Sequence, residues 1–348
     1  MDRLSTRLSG WMPTRIHGGG STGHVDWCYL GSRRFVEPFY RDTIQLAMQE
    51  PFNQAFWQET PIDTLVEWAG ARPGLTPNAL IYHASRCGST LVARMLMSLR
   101  SHVVVSEPPP VDSVLGASSW LPGVSDDVRR CWLAALLSVL GQPRAGGETR
   151  FVIKLDAWHV LDWRFLAQAC PGVPSIFLYR DPVEIAVSQL AMPGAYMVPG
   201  ILGPSQRVVG LADAVTMPRI EFVARMLGRI FEAGLEACMN GCARAVHYVE
   251  LPDAVWSSLA DLLGVDRDAA TRTSLFDAAV PDAKNPHFAF ADDRARKRAS
   301  ASDEVLEAIE HWAEPAYRAL EAHRTGGNPA SSAHAASPSA ARAATTTG

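Results

Sequence analysis

The stretch ALIYHASRCGSTLVARMLMS, residues 79–98, decides the fold. It begins with the apolar run ALIYH, whose length and composition are typical of a buried strand. A loop of small residues follows, and from Ser89 onward the apolar side chains take the spacing of a helix. A strand, a loop and a helix in this order form the first part of a βαβ unit, which favours a parallel sheet.

The same alternation of strand and helix continues along the chain. Further strands are predicted at residues 103–105, 151–155, 175–179 and 245–249, and further helices at residues 126–140, 158–169, 182–190, 219–239, 254–263 and 303–322. The sequence therefore predicts an α/β fold, a three-layer sandwich around a central, mostly parallel sheet. In such sheets ligands bind at the carboxyl ends of the strands, so functional residues are expected directly after each strand.

The two ends of the chain differ in composition from its middle. Residues 1–22 are rich in Gly, Ser and Arg and lack periodicity, and residues 325–348 form a low-complexity tail. We predict that both ends are disordered and that residues 23–324 form a single domain.

Composition and charge limit the classes of partner. The chain has 348 residues, of which 47% are hydrophobic and 20% charged, with a net charge of −4. This charge gives no general attraction to nucleic acid or to an anionic membrane, so any bound anion must be held by a local site. Six cysteines without paired spacing, no apolar leader and no run of about 18 apolar residues predict a cytoplasmic protein without a membrane anchor.

The loop after the first buried strand has the composition of a phosphate-binding loop. Its small residues let backbone N–H groups approach an anion, and the helix that follows adds the positive end of its dipole. The candidate binding residues are Ser85, Arg86, Cys87, Gly88, Ser89 and Thr90. The loop lacks the Lys of the nucleoside triphosphatase loop, and the alternative interpretation is a Gly/Ser turn with Ser89 as the helix N-cap.

A second candidate anion site lies in SIFLYRDPVEIAVSQL, residues 175–190. Arg180 ends a predicted strand, Pro182 begins a helix, and Ser188 lies eight positions after Arg180. A guanidinium and a hydroxyl so placed can hold one phosphate. The alternative is a surface ion pair between Arg180 and Asp181 or Glu184.

Together these two segments resemble the donor-binding motifs of the sulfotransferase superfamily. SRCGSTL, residues 85–91, is similar to its 5′-phosphosulfate loop, and IFLYRDPVEIAVS, residues 176–188, is similar to its 3′-phosphate motif. FVIKL at residues 151–155 and HYVELPDAVWSSLADLLGV at residues 247–265 resemble later segments of the family. The resemblance covers about residues 79–265. It implies the phosphate-loop-like sulfotransferase fold and 3′-phosphoadenosine-5′-phosphosulfate (PAPS) as the co-substrate, without a metal.

The resemblance also implies catalytic roles. Sulfuryl transfer is similar to phosphoryl transfer through a loose, in-line transition state, so positioning and charge stabilisation do most of the work. Arg86 and Lys154 stand where the family has its cations, although Lys154 could instead pair with Asp156 or Glu107. Glu107 matches the catalytic Glu of tyrosylprotein-type enzymes and is the predicted general base. Asp156, which stands where the cytosolic aryl and steroid enzymes have their catalytic His, and His159 are the alternatives.

Basic residues near the C-terminus, Lys284, Lys297 and Arg298, match loosely the family's basic loop to the 3′-phosphate, with a solvated charge run beside Asp292 and Asp293 as the alternative.

The Gly/Pro-rich residues 193–207 are predicted to form a lid that lines the acceptor pocket with Tyr196 and Met197. The aromatic residues 27–68 are assigned to core packing, with a second wall of the pocket as the alternative. Cys238, Cys242 and His247 lack a fourth ligand, so no zinc site is expected there.

The sequence therefore predicts a sulfotransferase that moves a sulfuryl group from PAPS to a hydroxyl or nitrogen of a small or carrier-bound metabolite. The alternatives are a phosphate-loop kinase using ATP and Mg²⁺ and a non-catalytic nucleotide-binding protein of the same fold. The richness in Ala and Arg suggests a bacterial enzyme of natural-product biosynthesis. No nucleic-acid or membrane partner is expected.

Overall fold

The structure is a computed structural model that describes residues 8–19, 22–201, 208–280 and 294–326. Within these residues it contains eight strands: β1 (Trp11–Gly19), β2 (Thr22–Tyr29), β3 (Gln58–Pro61), β4 (Ala79–His83), β5 (His102–Ser106), β6 (Arg150–Lys154), β7 (Ser175–Tyr179) and β8 (Arg244–His247).

The described helices are numbered α1 to α17. They are α1 (Tyr40–Met48), α2 (Pro51–Ala55), α3 (Ile62–Ala71), α4 (Ser89–Met97), α5 (Pro109–Leu115), α6 (Ala117–Trp120), α7 (Asp126–Leu140), α8 (Trp163–Ala169), α9 (Pro182–Ala191), α10 (Leu211–Thr216), α11 (Arg219–Met239), α12 (Asp253–Trp256), α13 (Ala260–Leu263), α14 (Ala269–Ala279), α15 (Arg294–Ala299), α16 (Asp303–Trp312) and α17 (Glu314–Thr325). Three short 3₁₀ helices lie at Ala157–Asp162, Ala195–Met197 and Tyr248–Glu250.

The central sheet has five strands in the order β5-β6-β4-β7-β8, and all neighbouring strands are parallel. Every residue of β4, β5 and β7 is buried, as expected for a parallel sheet that is covered on both faces. The predicted α/β class with a central parallel sheet is therefore confirmed.

The two faces of this sheet belong to two separate apolar cores. Leu80 and Tyr82 of β4 lie in one core, whereas Ala79 and Ile81 lie in the other, as the alternation of side chains along a strand requires. The first core includes residues of α7 and α11, and the second includes residues of α4 and α13. Helices on both faces make the predicted three-layer sandwich.

The N-terminal region corrects one prediction. Residues 11–19, which we expected to be disordered, form β1 in an antiparallel sheet of order β1-β2-β3. Trp11 and Ile16 of this strand lie in the first core. A Cβ at Gly18 would lie 2.7 Å from the carbonyl oxygen of Trp120, so this glycine allows close packing, although in the sequence it looks like a sign of disorder. Most of the predicted C-terminal tail lies outside the described residues.

Three predicted helices are divided in the structure, and one of them is the helix expected at residues 254–263, which forms α12 and α13. The helix expected at residues 158–169 begins as the 3₁₀ helix Ala157–Asp162 and continues as α8. The helix expected at residues 303–322 ends at Trp312, and α17 starts anew with Pro315 in its first turn, where a missing N–H costs nothing. No helix in the described part of the chain is long and apolar enough to cross a membrane.

Candidate active site

The loop after β4 has an unusual backbone. Ser85, Arg86 and Gly88 have positive φ angles of 64°, 51° and 84°. For the two non-glycine residues this conformation costs about 1–3 kcal/mol each, and such residues cluster at ligand sites. Gly88 rather than Ser89 is the N-cap of α4, so the alternative of a turn capped by the Ser89 side chain does not describe this loop. Successive residues in right-handed and left-handed helical conformations can form a concave site whose backbone N–H groups bind an anion.

Gly88 is also required by its surroundings. A Cβ at this position would lie 2.7 Å from Cδ1 of Leu251 and 3.0 Å from the ring of Tyr248. The Tyr248 ring also lies 4.5 Å from the guanidinium carbon of Arg180. Tyr248 therefore contacts Arg180 and lies close to Gly88, which brings the two candidate anion segments together at the strand ends.

The side chains of the loop point in different directions. Cys87 is buried, its Sγ donates a hydrogen bond to the Leu178 carbonyl at 3.1 Å, and burial raises its pKa to about 11. Cys87 therefore offers a ligand only its backbone. Arg86 is half-buried and donates to the Met192 carbonyl at 2.8 Å. Ser89 and Thr90 are buried at the start of α4.

An ion pair joins the ends of β5 and β6. Lys154 is fully buried and pairs with Glu107, which was one of the alternatives for Lys154. The Lys154 ammonium also donates to Ser106 Oγ at 3.3 Å and lies 5.2 Å from the centre of the Phe39 ring. Glu107 has a φ of 53°, a third strained position at a strand end, and about a quarter of its side chain (24%) is exposed.

His83 connects this ion pair to the loop, a role that the sequence did not reveal. Its Nδ1 accepts a hydrogen bond from the Ser85 N–H at 3.0 Å, so the proton of the neutral ring lies on Nε2, which is 2.9 Å from the Leu155 carbonyl and 3.4 Å from Glu107 Oε1. Burial lowers the pKa of His83 and keeps the ring neutral. The only available signal was its position as the last residue of β4.

The pKa of Glu107 is set by opposing effects. Burial raises it, but the Lys154 ammonium and the hydrogen bond from His83 together outweigh burial and hold the pKa well below its usual range. Glu107 is therefore ionised while Lys154 remains its partner.

Asp156, two positions after Lys154, has the opposite environment. Burial is the largest cause that raises its pKa to about 7; His159 opposes this shift, and the Glu107 carboxylate adds to it. Asp156 caps the 3₁₀ helix Ala157–Asp162, and its Oδ2 lies 3.8 Å from Nε2 of the buried His159. The same Nε2 lies 3.2 Å from Asp112. The structure thus has an Asp–His–Asp chain whose Asp112 member the sequence did not indicate.

At the second candidate site, Arg180 is buried at the end of β7 and pairs with Glu184. The alternative of an ion pair with Glu184 is thus present, but it is a buried pair and not a surface one. Ser188 is half-buried on α9, two turns from the helix start. Asp181 caps the same helix by accepting from the N–H groups of Val183 and Glu184.

Of the C-terminal basic residues, Arg298 pairs with Asp181 at the start of α9, against which α15 packs. Lys297 is half-buried on the same helix. Lys284, Asp292 and Asp293 lie outside the described residues.

Two aromatic side chains lie beside the loop after β4. Tyr196 is buried, accepts a hydrogen bond from Gln189 at 3.0 Å, and lies 5.2 Å from the Trp158 ring. Gln189 also donates to Ser85 Oγ at 3.0 Å, so the segment after α9 is tied to the loop. Met197 is buried as well, and residues 202–207 of the expected lid lie outside the described residues.

The aromatic N-terminal residues divide between two roles. Trp27, Tyr40 and Trp68 lie in the core, as core packing predicts, but Phe39 contacts Lys154. Cys238 is buried in α11, where burial raises its pKa to about 12, and the groups of possible metal ligands within the described residues include neither Cys238 nor Cys242.

The fold and these strand ends describe a parallel α/β protein with a strained, small-residue loop beside a buried cation. No family model and no curated protein matches the chain. Among solved structures it is similar to a sulfotransferase domain from the curacin biosynthetic pathway, with 14% identity and a TM-score of 0.42 over 68% of this chain and 96% of that chain.

Two other solved structures are similar to the chain. Sulfotransferase STF9 from Mycobacterium avium has 12% identity and a TM-score of 0.44 over 76% of this chain and 81% of that chain. The sulfotransferase domain from the Synechococcus PCC 7002 olefin synthase has 14% identity and a TM-score of 0.37 over 72% and 94%. Each of these three structures is a sulfotransferase or a sulfotransferase domain.

Proposed function

We propose that this protein transfers a sulfuryl group from PAPS to a hydroxyl of a small or carrier-bound metabolite and releases adenosine 3′,5′-bisphosphate. The observation that carries the proposal is the fully buried Lys154 at the end of β6. The neighbouring strand β4 ends at the same edge of the sheet and leads into the strained loop. A buried ammonium is costly unless an anion faces it. Glu107 faces it in this structure, and the sulfuryl end of the donor would compete for it.

The donor would bind across both motifs. Backbone N–H groups of residues 85–90 and the start of α4 suit the 5′-phosphosulfate, because a helix N-terminus attracts anions. Arg180 and Ser188 suit the 3′-phosphate, since a guanidinium forms strong hydrogen bonds to phosphate oxygens. Arg180 pairs with the buried Glu184 in this structure. To bind the 3′-phosphate, its guanidinium must either leave Glu184 or contact Glu184 and the phosphate together. Lys297 and Arg298 lie on the helix that packs against α9, and we assign them to this end as additional cations.

The transfer step would proceed in line. The acceptor oxygen attacks sulfur, its proton passes to the Glu107 carboxylate, and the bond from sulfur to the phosphate oxygen breaks. Lys154 and Arg86 stabilise the charge that develops on the departing phosphate oxygen. The electron pair of the broken bond remains on adenosine 3′,5′-bisphosphate, and no metal is required.

Side-chain exposure favours Glu107 as the base, whereas its low pKa disfavours it. Glu107 is about a quarter exposed, whereas the Asp156 side chain is 12% exposed and caps a 3₁₀ helix, so Glu107 is more accessible to an acceptor. The low pKa of Glu107 makes it a weak base as long as Lys154 is its partner. When the donor draws the ammonium away, that pKa rises, because the main cause of its depression is removed. Glu107 is therefore our proposed base, and Asp156 is the competitor.

The acceptor would approach along aromatic side chains. Phe39 lies against Lys154, Tyr196 is linked to the loop through Gln189, and Trp158 lies beside Tyr196. Such a wall suits an acceptor with an apolar body, since aromatic faces bury large apolar surfaces. The kinase alternative is disfavoured by the loop itself, because Cys87 and Gly88 precede Ser89 where a nucleoside triphosphatase has Gly and Lys.

The test is ligand protection against thermal unfolding. We expect adenosine 3′,5′-bisphosphate to raise the midpoint of unfolding equally with and without Mg²⁺. Arg180→Ala should weaken this ligand at least about tenfold through loss of a charge-assisted contact. Arg229→Ala, which removes an exposed ion pair on α11, is the matched control and should bind like the wild type. Protection by ATP with Mg²⁺, without protection by adenosine 3′,5′-bisphosphate, would favour the kinase instead.

A further inference from the structure

One face of the N-terminal sheet gathers metal-ligating side chains from all three strands. Asp26 of β2 is the register partner of Glu59 of β3, and His17 of β1 pairs with His24 of β2. Because His24 and Asp26 are two residues apart on one strand, all four side chains lie on the same face.

The spacing of three of these groups suits a metal ion. His17 Nε2 lies 3.4 Å from Asp26 Oδ1 and 3.7 Å from Glu59 Oε2, and one ligand atom from each of the three residues lies within 4.8 Å of the other two. Ligands held about 2.1 Å from a tetrahedral ion are about 3.4 Å apart. The contact between His17 and Asp26 is a long hydrogen bond, whereas the 3.7 Å between His17 and Glu59 is beyond hydrogen-bond reach, so hydrogen bonding holds only one of the two carboxylates to His17.

The charges also call for a cation. Asp26 is only 4% exposed, and a buried carboxylate is unfavourable without a positive partner. Its neighbour across the strands is a second carboxylate, Glu59, and like charges at opposed positions of a sheet destabilise it. His17 contacts both carboxylates, but a single imidazole carries at most one charge, so an ion between the two carboxylates would reduce both penalties further.

His24 provides the outer support that metal ligands usually have. Its Nδ1 lies 3.2 Å from Glu59 Oε1, while the contact of Glu59 with His17 uses the other oxygen, Oε2. The ring of His24 stacks on that of His17 at 6.0 Å between centres. A hydrogen bond from an outer histidine fixes the orientation of a ligating carboxylate.

We propose that His17, Asp26 and Glu59 bind one divalent transition ion of the Zn²⁺ class, with His24 positioning Glu59. One imidazole and two carboxylates suit Zn²⁺ and its first-row neighbours better than Ca²⁺, which takes six to eight oxygen ligands. The ion would link β1, β2 and β3. The site is separate from the residues assigned to sulfuryl transfer and does not depend on that proposal.

The test uses the full chain, freed of metal with a chelator, and titrates Zn²⁺ by calorimetry while following the thermal midpoint. We expect one tight site and a higher midpoint on binding. His17→Gln and Glu59→Gln should abolish that site, and His24→Gln should weaken it about 10- to 100-fold. His311→Gln, which changes an exposed histidine on α16, is the matched control and should bind like the wild type.

The substituted residues are partly exposed, so a loss of zinc binding can be distinguished from a loss of folding. The side chains of His17 and Glu59 are 24% and 45% exposed, so these variants should fold, and circular dichroism without metal checks that they do. Zinc binding that is equally strong in the wild type and in both variants would overturn the proposal, as would the absence of binding by the wild type. Equal binding of Mg²⁺ and Zn²⁺ would contradict the assigned ligand chemistry.

Discussion

Glu107 follows β5 and Asp156 follows the neighbouring strand β6, yet their environments shift their pKa values in opposite directions. Glu107 has an ammonium and a neutral imidazole as partners, and its pKa is held low. Asp156 is more buried, and burial raises its pKa to about 7. Two carboxylates near one cation thus differ because only one of them contacts it. The same division separates a proton acceptor from a structural acid in many active sites.

Removing the cation should have the largest effect on this pair. In Lys154→Met, we expect turnover to fall about 10³-fold, because the charge on the leaving oxygen is no longer stabilised. The unfolding free energy should fall by about 3 kcal/mol, since the buried partner of Glu107 is lost. Steady-state kinetics and urea unfolding measure the two effects.

The double variant Lys154→Met/Glu107→Gln is the control for the stability effect. Replacing both charges removes the unpaired carboxylate, so part of the lost stability should return while turnover stays absent. A double variant less stable than Lys154→Met would contradict the ion pair as the cause.

Changing the proposed base should have the next largest effect. Glu107→Gln should lower turnover about 10²-fold while adenosine 3′,5′-bisphosphate still binds, because the proton acceptor is lost and the donor contacts remain. Asp156→Asn is the matched carboxylate-to-amide control and should keep turnover within about threefold. If the two variants exchanged these results, Asp156 would be the base.

The raised pKa of Asp156 should make the free energy of unfolding depend on pH. Its folded pKa is raised, so its stabilising contribution is complete below the unfolded pKa and is lost as pH rises through about 7. Wild-type protein should therefore lose stability relative to Asp156→Asn between about pH 4, the usual pKa of an Asp side chain, and about pH 7, and the difference should level off above pH 7. Chemical unfolding of both proteins across this range measures the difference, and a constant difference would disagree with the raised pKa.

The smallest effect concerns the second partner of Glu107. His83→Gln removes one of the contacts that lower the pKa of Glu107, so the acid limb of the turnover profile should move upward by less than about one pH unit. Turnover at the optimum should change only a few-fold. An unchanged limb would mean that Lys154 alone sets the protonation of Glu107.

The sequence predicted the central sheet closely because its signals are local. The bounds of β4, β7 and α11 agree with the predicted ranges 79–83, 175–179 and 219–239, where apolar runs or helical spacing are uninterrupted. The candidate loop is predicted from its position after a strand, whereas Lys154 is indicated by the resemblance of residues 151–155 to a sulfotransferase segment.

The missed features depend on contacts between distant residues. Asp112 meets His159 across 47 positions, and Phe39 reaches Lys154 from before α1, so neither has a local signal. The strand β1 is not predicted because the Gly-, Ser- and Arg-rich composition of residues 1–22 is typical of disorder, whereas the close packing of Gly18 against Trp120 is visible only in three dimensions. The assigned donor and catalytic roles stay predictions until the variants are measured.

The Phe39 ring above the Lys154 ammonium has a practical consequence for anyone who wishes to shorten this protein. A fragment starting at β4 would keep both anion segments and the ion pair, yet it would leave the ammonium side open to water. Water would screen the charge on which transfer depends. Such a fragment would also lack core residues such as Trp11, Trp27 and Trp68, so under the proposed function the residues that precede the sheet are expected to be needed for both folding and turnover.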